Sequence, residues 1–210
     1  MEEKSRPFET HAECYELWFE NNEVAYRSEL KAVDEFLPSK GKGIDIGVGS
    51  GRFSEPFSIQ YGIDPSREML KIADSRGIQV VQGVGEDMPF QSSSFDFASI
   101  VTTICFFDDP LSALKESFRI LKSDGMIIIG FVDKNSSLGK KYRRRKDQNV
   151  FYKEAEFYSV DEVTEFLTEA GFSNLEYYQT LFQYPDSLEE VEEPEVGYGE
   201  GSFVVVKGYK

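Results

Sequence analysis

The 210-residue chain predicts an α/β fold, a mostly parallel sheet covered by helices and closed by an antiparallel hairpin. Three observations carry this. Short apolar runs alternate with helical patterns from Gly43 to Gly171, the rhythm of successive βα units. The first apolar run ends in an acid and a glycine turn, Gly43-Ile44-Asp45-Ile46-Gly47-Val48-Gly49-Ser50-Gly51. After Gly171 the helical patterns cease, and two aromatic and β-branched runs remain, at 175–182 and 202–209.

The elements follow in order. Residues 1–40 read as a helical segment, with Tyr26, Leu30, Val33 and Leu37 at helical spacing and Pro38 and Gly41 ending the run. Strand one is 43–47, and a short helix is expected from Arg52, with Phe53 and Phe57 inward. Strand two closes at Asp64. Ser66 is a suitable N-cap for a helix bearing Met69, Leu70 and Ala73 that Gly77 stops. Strands three and four are 78–82 and 95–102. Leu111, Leu114, Phe118 and Leu121 form one stripe of a helix ending near Gly125, and 126–131 is an apolar fifth strand of the kind covered on both faces. Ser159 and Glu162 make a capping box for a helix with Val163, Phe166, Leu167 and Ala170. The two last runs, separated by polar and acidic residues, read as a long-looped hairpin that makes the final strand antiparallel. No internal repeat or second domain is visible in the sequence.

Strand, glycine turn, helix, strand, acid is how an α/β sheet holds a nucleoside: glycines let the backbone approach the ligand, and the second acid accepts from ribose hydroxyls. Asp64 is that second acid, nineteen residues after Asp45. A dinucleotide fingerprint would read G-x-G-x-x-G. Here the third glycine comes one residue early, and Asp45 would repel a diphosphate. The loop suits a nucleoside with a zwitterionic tail, which fits S-adenosylmethionine. Ligands in such sheets bind beyond the carboxyl ends of the strands, where Asp45, Asp64, Gly85, Glu86 and Val101 are all expected.

Five motifs in workable order resemble the class I S-adenosylmethionine-dependent methyltransferases of the small methyltransferase-domain type, akin to those of quinone biosynthesis and small-molecule methylation. They are the glycine turn, Gly83-Val84-Gly85-Glu86-Asp87-Met88-Pro89-Phe90, Ser94-Phe95-Asp96, Asp109-Pro110 with Leu114-Lys115-Glu116, and Arg119-Ile120-Leu121-Lys122-Ser123-Asp124-Gly125. The likeness covers 15–172 and implies a Rossmann-like three-layer sandwich with a seven-stranded sheet. It implies one domain, with 1–40 as a helical lid on a 41–210 core and 133–158 as a substrate-covering segment. By resemblance, Asp45 and the glycines Gly47, Gly49 and Gly51 hold the methionine moiety and ribose, Asp64 holds the ribose hydroxyls, and Pro65, Gly85 and Met88 flank the adenine. Tyr15 and Trp18 resemble a segment that covers the cofactor. Two positions depart from the family pattern: Val84 stands where an adenine-binding Asp is usual, and Cys105 where a His is common.

The implied activity is methyl transfer to a nitrogen, oxygen or carbon of a small molecule, by in-line displacement. The alternatives are a nicotinamide-dependent oxidoreductase and a non-catalytic protein that binds the same cofactor. His11, the single histidine, and Tyr15 are the candidates for proton transfer. The net charge of −15 argues against a nucleic-acid substrate. Two cysteines indicate neither a disulfide framework nor a metal site. No apolar run is long enough for a membrane span of about 20 residues, so a cytoplasmic monomer or homodimer is expected. Lys140-Lys141-Tyr142-Arg143-Arg144-Arg145-Lys146 is the sole basic cluster; a solvated face or an anion-steering patch both fit it, and the acidic 186–195 stretch is a candidate to meet it.

Overall fold

The structure is a computed structural model that describes residues 2–210. Three helices lead the chain: α1 (Glu2–Thr10), α2 (Ala12–Asn21) and α3 (Glu23–Asp34). The sheet and its helices follow as β1 (Gly43–Ile46), β2 (Tyr61–Asp64), α4 (Arg67–Ser75), β3 (Gln79–Gln82), β4 (Phe95–Val101), α5 (Pro110–Ile120) and β5 (Leu121–Val132). Then come α6 (Ser137–Arg144), α7 (Val160–Ala170), β6 (Ser173–Thr180), β7 (Glu195–Val196) and β8 (Phe203–Tyr209).

The sheet order is β3-β2-β1-β4-β5-β8-β6-β7. β1 to β5 pair in parallel; β8 runs antiparallel between β5 and β6. The expected hairpin is therefore present. The strand count is eight among the described residues rather than seven, because the two-residue β7 adds to the outer edge of β6. Strand alternation puts the two main cores on opposite faces of the sheet, and a small third cluster of Val48, Leu70, Ala73 and Ile78 lies at α4. Ile127 and Ile129 of β5 pack with α5 and α7, while Ile128 packs with Ala32 and Val33 of α3. This is the three-layer arrangement that the resemblance implies.

The expected caps form. The Ser66 hydroxyl accepts from the Met69 N–H at the start of α4. The Ser159–Glu162 capping box opens α7, and Gly171 closes it at φ +106°. Two expectations need correction. No regular helix forms from Arg52: residues 52–58 make a compact turn in which the Ser54 and Glu55 N–H groups both donate to the Gly51 carbonyl. Pro56 supplies no donor there, and Ser58 leaves the turn at φ +55°. The helix expected to reach Gly125 instead stops at Ile120. Leu121 already pairs with Phe95, and Met126 with Phe97, so 122–125 bulge out of register. Lys122 donates to Asp96 Oδ1 at 2.6 Å and fixes the bulge. Among the described residues, no helix is long and apolar enough to cross a membrane.

Candidate active site

The strand order reverses between β1 and β4, and in open α/β sheets a ligand crevice lies beyond the carboxyl ends at such a point. A cavity of about 470 Å³ sits there, lined by loops from the sheet and by α1, α2 and α3. Its size is ordinary for a small-molecule site, whose range is about 300–1,000 Å³.

One end is built of backbone. Gly47 leaves β1 at φ +76°, and a Cβ there would lie 2.0 Å from Thr103 Cγ2. Thr103 Oγ1 donates to the Gly47 carbonyl at 3.0 Å, which stitches the tips of β1 and β4 together. Gly49 has φ +51°, and a Cβ there would meet nothing nearer than Tyr15 Oη at 3.9 Å. Its bare face is thus open for close approach by a ligand. The Gly49 N–H donates to Asp64 Oδ2 at 2.9 Å, and the Ser66 N–H donates to Asp64 Oδ1 at 2.8 Å. Burial pushes the Asp64 carboxyl up to about 6, although both N–H groups pull it back. A buried carboxylate beside an open glycine backbone suits the hydroxyls of a ribose, so the residues present fit S-adenosylmethionine.

The other end is built of side chains. Phe8 of α1 packs against Phe106 and Phe151 with ring centres 5.0 and 5.2 Å apart. Tyr142 of α6 meets Tyr152 at 5.0 Å, and Trp18 meets Phe19 at 5.1 Å. Among these rings stands Glu29 of α3, only 4% exposed. Its Oε2 has no hydrogen-bond partner, and burial pushes the carboxyl up to about 8. Tyr15 lines the same cavity. It shares a hydrogen bond with Thr102 and feels the charges of both Asp64 and Glu29.

Ion pairs hold the leading helices over the cavity. Glu16 of α2 pairs with Arg52 at 2.8 Å and with Arg76 at 2.5 Å, and Arg76 also donates to the Ser50 carbonyl. Glu9 of α1 accepts from the Ser66 hydroxyl at 2.8 Å. Both contacts tie the cover to the glycine turn and to the start of α4.

Of the residues singled out by sequence, Tyr15, Gly47, Gly49, Asp64, Pro65, Gly85 and Glu86 line the cavity. Asp45, Gly51, Met88, Val101 and His11 do not. Asp45 is 3% exposed, and its two oxygens accept from Ser54 Oγ at 2.6 Å and Ser99 Oγ at 2.7 Å. It braces β1 against β4 and the turn after Gly51. Met88 is buried in the core, its N–H donating to Glu116 while its carbonyl accepts from Arg119. The Glu116–Arg119 pair thus clamps the 88–92 loop. Val101 faces the α3 side of the sheet. His11 is exposed at the start of α2 and meets only the edge of Phe151, at 6.5 Å. Glu86 lines the cavity, but its Oε1 already accepts from the Asp108 and Asp109 N–H groups. The basic cluster is largely exposed on α6, and Lys141 meets Asp186 of the acidic stretch at 3.3 Å. Sequence reasoning missed Glu29, Phe8, Tyr142, Tyr152 and Thr103. A signal existed for Glu29: it lies four residues from both Ala25 and Val33 on the buried face of α3.

Comparison with known proteins agrees with this geometry. Residues 44–129 match the family model described as "Methyltransferase domain". An uncharacterized protein of Methanocaldococcus jannaschii is 47% identical over 203 residues, covering 97% of this chain and 98% of that protein. A demethylmenaquinone methyltransferase of Staphylococcus carnosus is 29% identical over 52% of this chain and 50% of its own length. A crystal structure from Thermotoga maritima, of an S-adenosylmethionine-dependent methyltransferase described as a possible histamine N-methyltransferase, superposes with a TM-score of 0.95 at 48% identity, covering 98% of each chain. Fold, cavity and relatives agree, and the chain belongs to the S-adenosylmethionine-dependent methyltransferases.

Proposed function

We propose that the protein transfers the methyl group of S-adenosylmethionine to a small molecule held at the ring-lined end of the cavity. One observation carries the reading: a single continuous cavity joins Gly49 and Asp64 to a ring-lined end beneath α1 and α2. Asp64 accepts from the ribose hydroxyls, and the backbone at Gly47 and Gly49 lies along the ligand. Pro65, Gly85 and Glu86 border the base; with Val84 in place of an acid, backbone groups read its edge. The cofactor supplies a methyl group already activated by a sulfonium. What remains for the chain is to orient the acceptor and exclude water, which can supply most of the rate. The rings from Phe8, Phe106, Phe151 and Tyr152 serve that end. In this reading 1–40 is the lid and 133–158 the substrate cover.

The enclosed volume favours a small acceptor over a polymer. The net charge of −15 also disfavours nucleic acid. The test has two arms. Titration with S-adenosylhomocysteine and with NAD should show binding of the first alone; tight binding of NAD alone would overturn the reading. Transfer of labelled methyl should then be assayed over a panel of small amines, phenols and carbon acids. Histamine, given as a possible acceptor in the description of the Thermotoga relative, is the first compound to offer.

A further inference from the structure

We propose that Glu29 anchors the acceptor, binding a protonated amine at the ring-lined end and taking up the proton the amine must shed before methylation. This rests on the methyl-transfer reading of the same cavity and names its substrate class.

The argument starts from an unmet need. Glu29 lines the cavity and is 4% exposed, yet its Oε2 has no partner. Removing a carboxylate from water without a cation or donors is costly, and buried acids are normally paired. Here burial acts alone on the group, with no hydrogen bond and no cation to offset it. The titratable groups that feel its charge are four phenols. They are Tyr15 from α2, Tyr26 from α3 itself, Tyr142 from α6 and Tyr152 from the segment that follows. None of them brings a positive charge.

A ligand can supply what the chain withholds. An ammonium group offers several donors and the missing charge. The walls suit it as well, because ring faces attract cations, most strongly where water is excluded. Trp18, Phe19 and Tyr142 all line the cavity with Glu29. A carboxylate acceptor would meet like charge, and a neutral alcohol would leave the ionised form unbalanced. Lys4, the cation that also lines the cavity, is engaged by the Phe107 carbonyl and Asp108, so Glu29 stands among the rings as a buried acid without a counter-charge, and an amine is the nucleophile that uses it.

The same group completes the chemistry. An ammonium has no lone pair to give. Its proton passes from nitrogen to the Glu29 carboxylate, and the freed pair forms the new nitrogen–carbon bond while the pair of the breaking carbon–sulfur bond stays with sulfur. Glu29 ends protonated, its resting state, and that proton leaves to water when the next ammonium binds. A carboxyl held near neutral range by burial is matched to that duty.

The test uses the full chain saturated with S-adenosylhomocysteine. The probes are matched sets of phenyl-substituted and alkyl primary amines, the corresponding alcohols and the corresponding carboxylates, titrated by calorimetry. The expected result is that amines bind at least tenfold more tightly than their alcohols, and that carboxylates do not bind. Glu29→Gln should erase the preference for amines while leaving S-adenosylhomocysteine affinity within twofold. Infrared spectra give a second readout: the carbonyl band of a buried protonated carboxyl should vanish on amine binding and be missing in Glu29→Gln. Equal binding of amines and alcohols, or an amine preference that survives Glu29→Gln, overturns the proposal, as does a panel in which no amine binds. Failure of the parent reading looks different, because then the wild-type chain does not bind S-adenosylhomocysteine at all.

Discussion

At the proposed nucleoside end of the cavity, Gly47, Gly49 and Asp64 are fixed by hydrogen bonds between neighbouring strand tips, whereas at the proposed acceptor end Phe8, Phe151, Tyr142 and Tyr152 are placed by ring packing. The difference has consequences for change. Hydrogen bonds between strand tips are directional, and a Cβ at Gly47 would overlap Thr103, so the first end tolerates little. Ring packing is non-directional and survives exchange of one apolar group for another of similar volume. A protein built this way can keep one cofactor and still be retuned for a different acceptor. Glu29 is the exception at the second end, a polar group with a fixed requirement among adaptable neighbours.

The largest expected effect falls on that exception and would break the contrast if absent. The folded protein holds the Glu29 carboxyl at about 8, above its ordinary 4.5. Between those values the folded chain keeps a proton that the unfolded chain has lost. Stability contributed by the neutral form is therefore full below pH 4.5 and is lost as pH rises toward 8, by on the order of 5 kcal/mol. Glu29→Gln should remove that slope, so its melting temperature should exceed that of the wild type increasingly at alkaline pH. Asp45 and Asp64 are displaced in the same direction, both to about 6, so the difference between variant and wild type isolates Glu29. Identical slopes would mean that Glu29 carries no burial penalty.

Next in size is the nucleoside end. Asp64→Ala should weaken S-adenosylhomocysteine binding by about 1.5–3 kcal/mol, the scale of losing charged hydrogen bonds. The wild-type affinity should also fall as pH drops below about 6, because ribose hydroxyls favour the ionised carboxyl and protonation must be reversed to bind them. Calorimetry between pH 5 and 8 would show both effects, and a flat profile in the wild type would remove Asp64 from the contact. Asp45→Ala should behave differently. It strands the Ser54 and Ser99 hydroxyls, so a stability loss of about 1–3 kcal/mol should outweigh any loss of affinity. A variant of unchanged melting temperature that binds poorly would return Asp45 to the ligand.

The same contrast explains what the sequence made legible. Strand tips and glycine turns are local: the spacing from Gly43 to Asp64 fixes chain direction, turn and acid, so the places of Gly47, Gly49 and Asp64 on the cavity could be anticipated, whereas those of Asp45 and Gly51 could not. Asp45 misled because the pattern places an acid at the strand tip without saying which way its side chain turns. Two serines, 9 residues and 54 residues away in the chain, decide that. The helix expected after Gly51 failed because 52–58 had room only for a turn containing Pro56. The acceptor end is assembled from α1, α2, α3, α6 and the segment around Phe151, which no spacing rule connects. Tyr142 was hidden inside a basic run whose charges suggested solvent, although its own ring lines the cavity. Only Glu29 left a trace, as an acid in step with Ala25 and Val33.

The smallest effect sits on the seam between the two ends. The Tyr15 hydroxyl lies 3.9 Å from where a side chain on Gly49 would begin. It shares a hydrogen bond with Thr102, and the charges of Asp64 and Glu29 both raise its pKa, as burial does more strongly. It is therefore a neutral phenol at working pH, a donor and not a base. Tyr15→Phe keeps the ring that packs on Phe8 and Phe19 and removes only the hydroxyl. The loss should be about 0.5–1.5 kcal/mol in S-adenosylhomocysteine affinity, the worth of one neutral hydrogen bond, with little change in the binding of amine probes. Parallel titrations of both ligands decide the matter. If amine binding falls as far as cofactor binding, the hydroxyl couples the two ends, and the acceptor cannot be exchanged without disturbing the cofactor. If only the cofactor responds, the two ends are separable, and replacing acceptor-end rings should change which amine is chosen while leaving the nucleoside contacts intact.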